Sequence, residues 1–300
     1  MKNKIAVLLS SYNGAKYLDE QLNSIFEQKG NFDITILVRD DGSNDSSIHL
    51  LKKYEMEKKI ILFLGDNIGS AKSFKWLINT VGIFDYYALA DQDDVWKRDK
   101  LLTAVKFLEE NKEVLLYGSN KIIVDSELNK INIRDNVYHT GFYNLLVQGP
   151  GIAGCTMVFD SRLRNLFINA PANDFYHDAL LVILGEAFGN VYYDLNGKIL
   201  YRNHDNNVFG SRMNFKSRFM HRLLNFTTYS NRKTTTNIAK FLNNYSYKKI
   251  ENNKRRIVVL ALMAKKNWTA RMIFFLQRGL KTTHVYEFFM YKLGIILGWI

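Results

Sequence analysis

Tyr86-Tyr87-Ala88-Leu89-Ala90-Asp91-Gln92-Asp93-Asp94-Val95-Trp96 is an apolar run that ends in three carboxylates within four positions. Its first half reads as a buried strand, since consecutive non-polar residues bounded by polar ones suit a strand covered on both faces. The acidic half is costly there, because neighbouring carboxylates repel one another unless a cation relieves the charge. Two explanations stand side by side. Asp favours the first turn of a helix, here one beginning near Trp96. Equally, hard oxygen ligands at a strand end suit Mg²⁺ or Mn²⁺ and leave coordination positions for substrate phosphates.

Upstream, short aliphatic runs alternate with segments of helical period. Ile5 to Ser10 reads as the first strand, and Lys16 to Gln28 as a helix with Leu18, Leu22, Ile25 and Phe26 on one face. Ile34 to Val38 is a second strand, followed by the turn chemistry of Arg39-Asp40-Asp41-Gly42-Ser43-Asn44-Asp45. A helix to about Lys58, a strand at Ile60 to Leu64 and a helix over Ser70 to Val81 lead back to Tyr86. This alternation predicts an α/β domain with a mainly parallel central sheet flanked by helices. Ligands bind beyond the carboxyl ends of such strands. Four polar loops stand there: Ser11-Tyr12-Asn13-Gly14, Asp40-Asp41-Gly42-Ser43, Asp66-Asn67-Ile68-Gly69 and Asp91 to Asp94. Each alone could be a solvated turn, but together they predict one crevice. No glycine-rich fingerprint follows an early strand, which removes support from dehydrogenase and P-loop readings.

Downstream, residues 114 to 160 look strand-rich, with Val114 to Tyr117, Lys121 to Val124 and Thr156 to Phe159 as strands and Gly149-Pro150-Gly151 as a break. A helix over His177 to Phe188, a strand at Val191 to Asp194 and a polar loop over Tyr201 to Asn207 follow. With 47% hydrophobic and 14% aromatic residues in 300, the chain has ample core material, which excludes a disordered or fibrous protein. Cys155 is the only cysteine, so no internal disulfide forms, and beside Met157 and Val158 it reads as a small buried residue. The apolar run after Met1 is too short for a signal peptide and predicts a cytoplasmic start.

The first four motifs, with Ala90-Asp91-Gln92-Asp93-Asp94-Val95-Trp96 as the most specific, resemble the inverting family 2 glycosyltransferases of GT-A fold. The likeness spans about residues 4 to 210, and the acidic wording is similar to bacterial rhamnosyltransferases of surface polysaccharide synthesis. The resemblance implies roles residue by residue. Ser11, Tyr12, Asn13, Asp40, Asp41, Asn67 and Gly69 would line the donor site, with Tyr12 and the Asp40/Asp41 pair on base and ribose. Asp91 would face the ribose or sugar, and Asp93, with Asp91 as a shared candidate, would bind the Mn²⁺ or Mg²⁺ that bridges the diphosphate. Asp94 would do no more than cap the following helix. Asp178 matches the general base, its alternative being a helix cap. His177 stands beside it where an acid is often found, and Gly151 and Gly154 would line the acceptor side. His204 would complete the metal shell, and Arg202 could contact phosphate. No Gln-x-x-Arg-Trp motif follows Asp178, so the resemblance implies single-residue transfer from a dTDP- or UDP-linked sugar, L-rhamnose among the candidates, to a lipid-linked or saccharide acceptor.

The net charge of +12 is unevenly placed. Residues 211–300 hold 18 Lys and Arg against Glu251 and Glu287, a net of +16, which leaves −4 for residues 1–210. Two parts are therefore expected: a catalytic domain over 1–210 and a basic, aromatic-rich helical region over 211–300. Interleaved cations and aromatics, as in Phe215 to Leu224 and Trp268 to Arg278, predict helices lying on the inner face of the cell membrane. Val285 to Ile300 is too short and too charged to span, so it reads as interfacial or packing. Aromatics between cations could also serve single-stranded nucleic acid, but no nucleic-acid motif accompanies them and none is expected as a partner. A catalytically silent nucleotide-sugar or membrane-surface module and a nucleotidyltransferase are the competing functions, and the subunit number is not legible.

Overall fold

The computed structural model describes residues 2–131, 137–203, 229–245 and 249–298. A seven-stranded sheet runs in the order β3-β2-β1-β4-β8-β6-β9, from β1 (Asn3–Ser11), β2 (Phe32–Asp40), β3 (Ile61–Leu64), β4 (Tyr86–Asp91), β6 (Val114–Ser119), β8 (Val158–Asp160) and β9 (Asn190–Asp194). Only β8 runs antiparallel to its neighbours, so the expected mainly parallel α/β sheet is present. Ile5 to Leu9 of the central β1 are fully buried, because helices cover both faces. α1 (Ala15–Phe26) covers one face through Leu18, Leu22 and Ile25; α3 (Ser70–Thr80) covers the other through Phe74, Leu77 and Ile78. Register aligns the strand ends: Ser10 lies opposite Asp91, and Ser11 opposite Asp40.

Two readings near the acidic run are corrected. No helix begins at Trp96; Val95–Trp96 is β5, and α4 (Lys100–Glu110) starts four residues later. Tyr201 and Arg202 are not loop but the end of β10 (Ile199–Arg202), which joins β5 and β7 (Ile122–Val124) in a second, three-stranded sheet. That sheet removes the first-turn explanation of the acidic residues. The stretch expected to be strand-rich also contains α5 (Phe142–Gln148), a 3-10 turn at Gly154–Thr156 and β8, after which α6 (Ser161–Ile168) begins. Phe142 and Leu145 to Val147 face the core, and six buried residues in succession left no helical period to detect.

α2 (Ser47–Met56) and α7 (His177–Phe188) complete the helices before residue 203. Beyond it lie α8 (Tyr229–Asn244), α9 (Asn252–Met263), α10 (Trp268–Phe275) and α11 (Val285–Ile296). Their apolar residues are not all kept for a partner: Ile238, Leu242, Val258, Phe274 and Ile295 share one core with Leu146 and Leu180. Tyr143 Oη donates to the Phe274 carbonyl at 2.7 Å, and Thr235 Oγ1 to the Leu146 carbonyl at 2.6 Å. The Phe215 to Leu224 stretch lies outside the described residues.

Candidate active site

The acidic turn lies at the centre of the carboxyl edge. Asp94 is buried; its Oδ1 accepts the Arg202 N–H at 3.3 Å, while its Oδ2 has no hydrogen-bond partner. It does not cap a helix, because it turns inward beside Asp91 and Cys155, whose ligand atoms with its own lie within 4.8 Å of one another. Burial pushes Asp91 up to about 7, with Asp93 and Asp178 adding repulsion and the Cys155 thiol and Lys100 opposing it. Burial, then Asp91 and Asp93, hold Asp94 well above the usual carboxylate range.

A buried cation answers this charge. Lys100 has no exposed surface; its Nζ donates to the Cys155 carbonyl at 2.7 Å and stands 3.3 Å from the centre of the Trp96 ring. Burial pushes it down to about 7, against the attraction of Asp94 and Asp91. Lys100 thus joins the acidic turn to the Gly154–Thr156 turn. In the sequence it is one cation among Lys97, Arg98 and Lys100, and only the start of α4 separates it from its solvated neighbours.

Arg202 is also buried, which corrects its suggested role as a phosphate contact. Its Nε donates to the Asp93 carbonyl at 2.9 Å, its Nη2 pairs with Glu20 at 2.5 Å, its Nη1 bonds the Ser126 carbonyl, and it stacks on Tyr17 at 4.4 Å. These bonds spend the guanidinium on fixing the turn from β10.

The three other loops interlock. Gln92 accepts from Tyr12 N at 2.8 Å and donates back to Tyr12 O at 3.1 Å, leaving the Tyr12 ring exposed. A Cβ at Gly14 would meet Gln92 Oε1 at 2.2 Å, so a methyl there would push the Gln92 amide off its bonds to Tyr12. Asn13 N donates to Ser43 Oγ, and Asn13 Oδ1 accepts from Asn44 N, both at 2.9 Å. Asp40 accepts from Ser43 N at 2.8 Å and Ser43 Oγ at 2.6 Å. Asp41 pairs with Arg39 and accepts from Ile68 N at 3.0 Å and Gly69 N at 2.8 Å. Both aspartates are buried and engaged by protein donors, so any contact with base or ribose would add to a scaffolding role. Asn67 is exposed, and Ser11 presents a buried Oγ without a partner. The signal for Arg39 was available: a cation closes an apolar strand just before two acids.

Asp178 lies in the first turn of α7, where its Oδ1 accepts from Ala179 N at 2.7 Å; burial raises its pKa nonetheless. The helix-cap bond coexists with the repulsion that Asp178 exerts on Asp91. His177 is buried, stacked on Phe74 at 4.4 Å, and pushed down to about 3 by burial and then Lys75, so it carries no charge beside Asp178. A Cβ at Gly154 would lie 2.9 Å from His177 Nε2 and 3.5 Å from Asp178 Cβ, and one at Gly151 would lie 3.1 Å from Tyr138. The Gly154–Thr156 turn therefore bridges Asp178 and the acidic turn. His204 lies outside the described residues.

The residues fit a divalent cation. Mutually repelling carboxyls and the unpartnered, buried Asp94 Oδ2 are what a hard cation would relieve. Asp91 and Asp94, whose ligand atoms lie with that of Cys155 within 4.8 Å of one another, could hold it, with Asp93, whose charge acts on both, beside them.

The Glycosyl transferase family 2 profile matches residues 6–169, more than half of the chain. The chain belongs to this family. Among relatives of the glycosyltransferase, dTDP-rhamnosyl transferase RfbG of Shigella flexneri is 29% identical over 225 residues, covering 70% of this chain and 76% of the relative. The chain spans only about a quarter of the length of two further relatives it matches. Among solved structures, S. aureus TarS 1-349 in complex with UDP-GlcNAc matches with a TM-score of 0.60 at 16% identity, over 99% of this chain and 82% of that one. Mannosyltransferase PcManGT from Pyrobaculum calidifontis, in complex with GDP-Man and Mn²⁺, matches with a TM-score of 0.50 at 17% identity, over 99% and 86%. At these identities the likeness speaks to the fold, which is the GT-A type.

Proposed function

We propose that this glycosyltransferase moves one sugar, with inversion, from a nucleoside diphosphate donor to a lipid-linked or saccharide acceptor in bacterial surface polysaccharide synthesis. The observation that supports the proposal is the Gly154–Thr156 turn, which lies against Asp178 at Gly154 and against Asp91 and Asp94 at Cys155, so that the Asp178 charge acts on Asp91. One carboxylate on the acceptor side and an acidic turn on the donor side is the division of labour a displacement needs. Asp178 takes the proton of the acceptor hydroxyl as that oxygen bonds to the anomeric carbon and the bond to the diphosphate breaks. Its raised pKa makes it the stronger base. Mn²⁺ or Mg²⁺ held by Asp93 and Asp91 would supply the charge that neutralises the diphosphate.

Tyr12, Ser11, Asn13, Asn67 and Gly69 receive the donor in this reading, with Asp40 and Asp41 setting the loops that carry them. Gly151, Gly154 and neutral His177 shape the acceptor side. dTDP-rhamnose is the first donor to try, because RfbG carries that donor in its name; a UDP-sugar is the second. Residues 1–210 form the catalytic body, and residues 211–300 bring it to the cytoplasmic face of the membrane. Thermal unfolding against dTDP-, UDP- and GDP-sugars, each with and without Mn²⁺, tests the donor half, since a bound donor raises stability by mass action. If no donor shifts the transition and donor turnover is nil, the transferase mechanism fails and a silent module remains.

A further inference from the structure

We propose that the outward face of α11 is a docking face for an anionic lipid bilayer, lying in its interface without crossing it. The proposal deepens the membrane-associated reading above and rests on it for the place of the acceptor.

A surface helix normally turns its apolar stripe inward and its polar residues out. α11 departs from this. Ile295 is buried in the body, yet Val285, Phe289, Leu293 and Leu297, each four residues from the last, are exposed, as is Phe288 beside them. Val285 is 74% and Phe289 64% exposed, more than a residue at the margin of a core would be. Lys292 does not break the stripe, because its ammonium is drawn back to the carbonyls of Phe275 and Gln277, which flank the 67%-exposed Leu276. The result is an apolar surface of the kind that soluble monomers rarely leave uncovered.

Charge decides what covers it. Between residues 252 and 298 there are nine Lys and Arg and one acid, Glu287. Lys265, Lys266, Arg278 and Lys281 are exposed. A second copy of the chain would bring the same positive charge and be repelled, whereas an acidic lipid surface attracts it while its acyl boundary accepts Phe289 and Leu293. α11 has 12 residues, about 18 Å of helix at about 1.5 Å per residue, so it can lie in the interface but not span. Among the described residues, no helix is long and apolar enough to cross a membrane.

The test is flotation of the full chain with vesicles of phosphatidylcholine alone or with one-third phosphatidylglycerol, at low and high salt. Binding is expected only with phosphatidylglycerol and is expected to weaken with salt. Phe289→Glu combined with Leu293→Glu should reduce partitioning by at least about tenfold, and Arg278→Glu with Lys281→Glu should remove the preference for phosphatidylglycerol. Both pairs are solvent-facing, so unchanged thermal transitions and unchanged donor turnover in solution are expected. Equal binding by wild type and Phe289→Glu/Leu293→Glu, or no binding of wild type, overturns the proposal. A wild-type dimer that the apolar pair converts to monomer, without vesicle binding, overturns it in favour of self-association. Absent donor turnover with intact vesicle binding would instead count against the transferase reading alone.

Discussion

Lys100→Met tests whether the acidic turn depends on an internal cation. The substitution keeps an unbranched apolar stem near Trp96 and removes the ammonium. In the native chain that ammonium is fully buried, donates to the Cys155 carbonyl and lies in the field of the buried Asp94, which has an unpartnered oxygen, and of the half-buried Asp91. Removing one member of a buried charge pair costs about 3–5 kcal/mol, because the other is left uncompensated. In a chain of 300 residues, an unfolding entropy of about 2.1 cal/mol/K per residue converts this to a fall in Tm of about 5–8 °C. The measurement is thermal unfolding at neutral pH, metal-free and at saturating Mn²⁺. A cation bound at Asp93 and Asp91 replaces part of the missing charge, so the deficit should shrink with Mn²⁺. A fall below about 1 °C, well under the cost of an orphaned buried charge, would mean that Lys100 is not the counter-cation. A deficit identical with and without Mn²⁺ would mean that metal and ammonium do not share one field.

Asp178→Asn should lower transfer by about 10²–10⁴-fold with little change in the donor-induced thermal shift, measured by product formation and unfolding on the same samples. Asp93→Ala should abolish the Mn²⁺-dependent part of that donor shift while leaving the metal-free transition within a few degrees. Gly14→Ala drives a methyl into Gln92, so donor KM should rise sharply; restoration by Gln92→Ala in the double variant would place the fault at that contact. Glu186, accepting from Gly141 N at 2.7 Å, is pushed by burial from 4.5 to about 7. The folded chain therefore keeps a proton that the unfolded chain loses from about pH 4.5 upward, and stability falls until about pH 7. Glu186→Gln should remove that fall, about 3 kcal/mol at about 1.4 kcal/mol per pKa unit, seen as a urea midpoint raised at pH 8 relative to wild type and much less so at pH 5.

The sheet was legible because its strands are continuous apolar runs and its first helices keep one apolar face, patterns set by local burial alone. The four polar loops were legible for the same reason: each marks where a buried strand stops. What a sequence window does not carry is depth. Lys97, Arg98 and Lys100 differ little as residue types, yet the first two are solvated and the third lies beneath Trp96, a distinction made by where α4 begins. Arg202 looked like a phosphate ligand because cations near acidic motifs often are; the second sheet, assembled from residues 95, 122 and 200, turns it into a clamp. His177 looked like a substituted acid, but Phe74 and Gly154 enclose a neutral ring. The three cases share a cause. Ligand-facing and protein-facing polar groups have the same chemistry, and only long-range closure divides them. Among the described residues, closure spends Arg39, Lys100 and Arg202 on holding carboxylates and carbonyls of the crevice. That use of the described cations supports the proposed metal at the acidic turn, and a donor-induced thermal shift equal with and without Mn²⁺ would refute it.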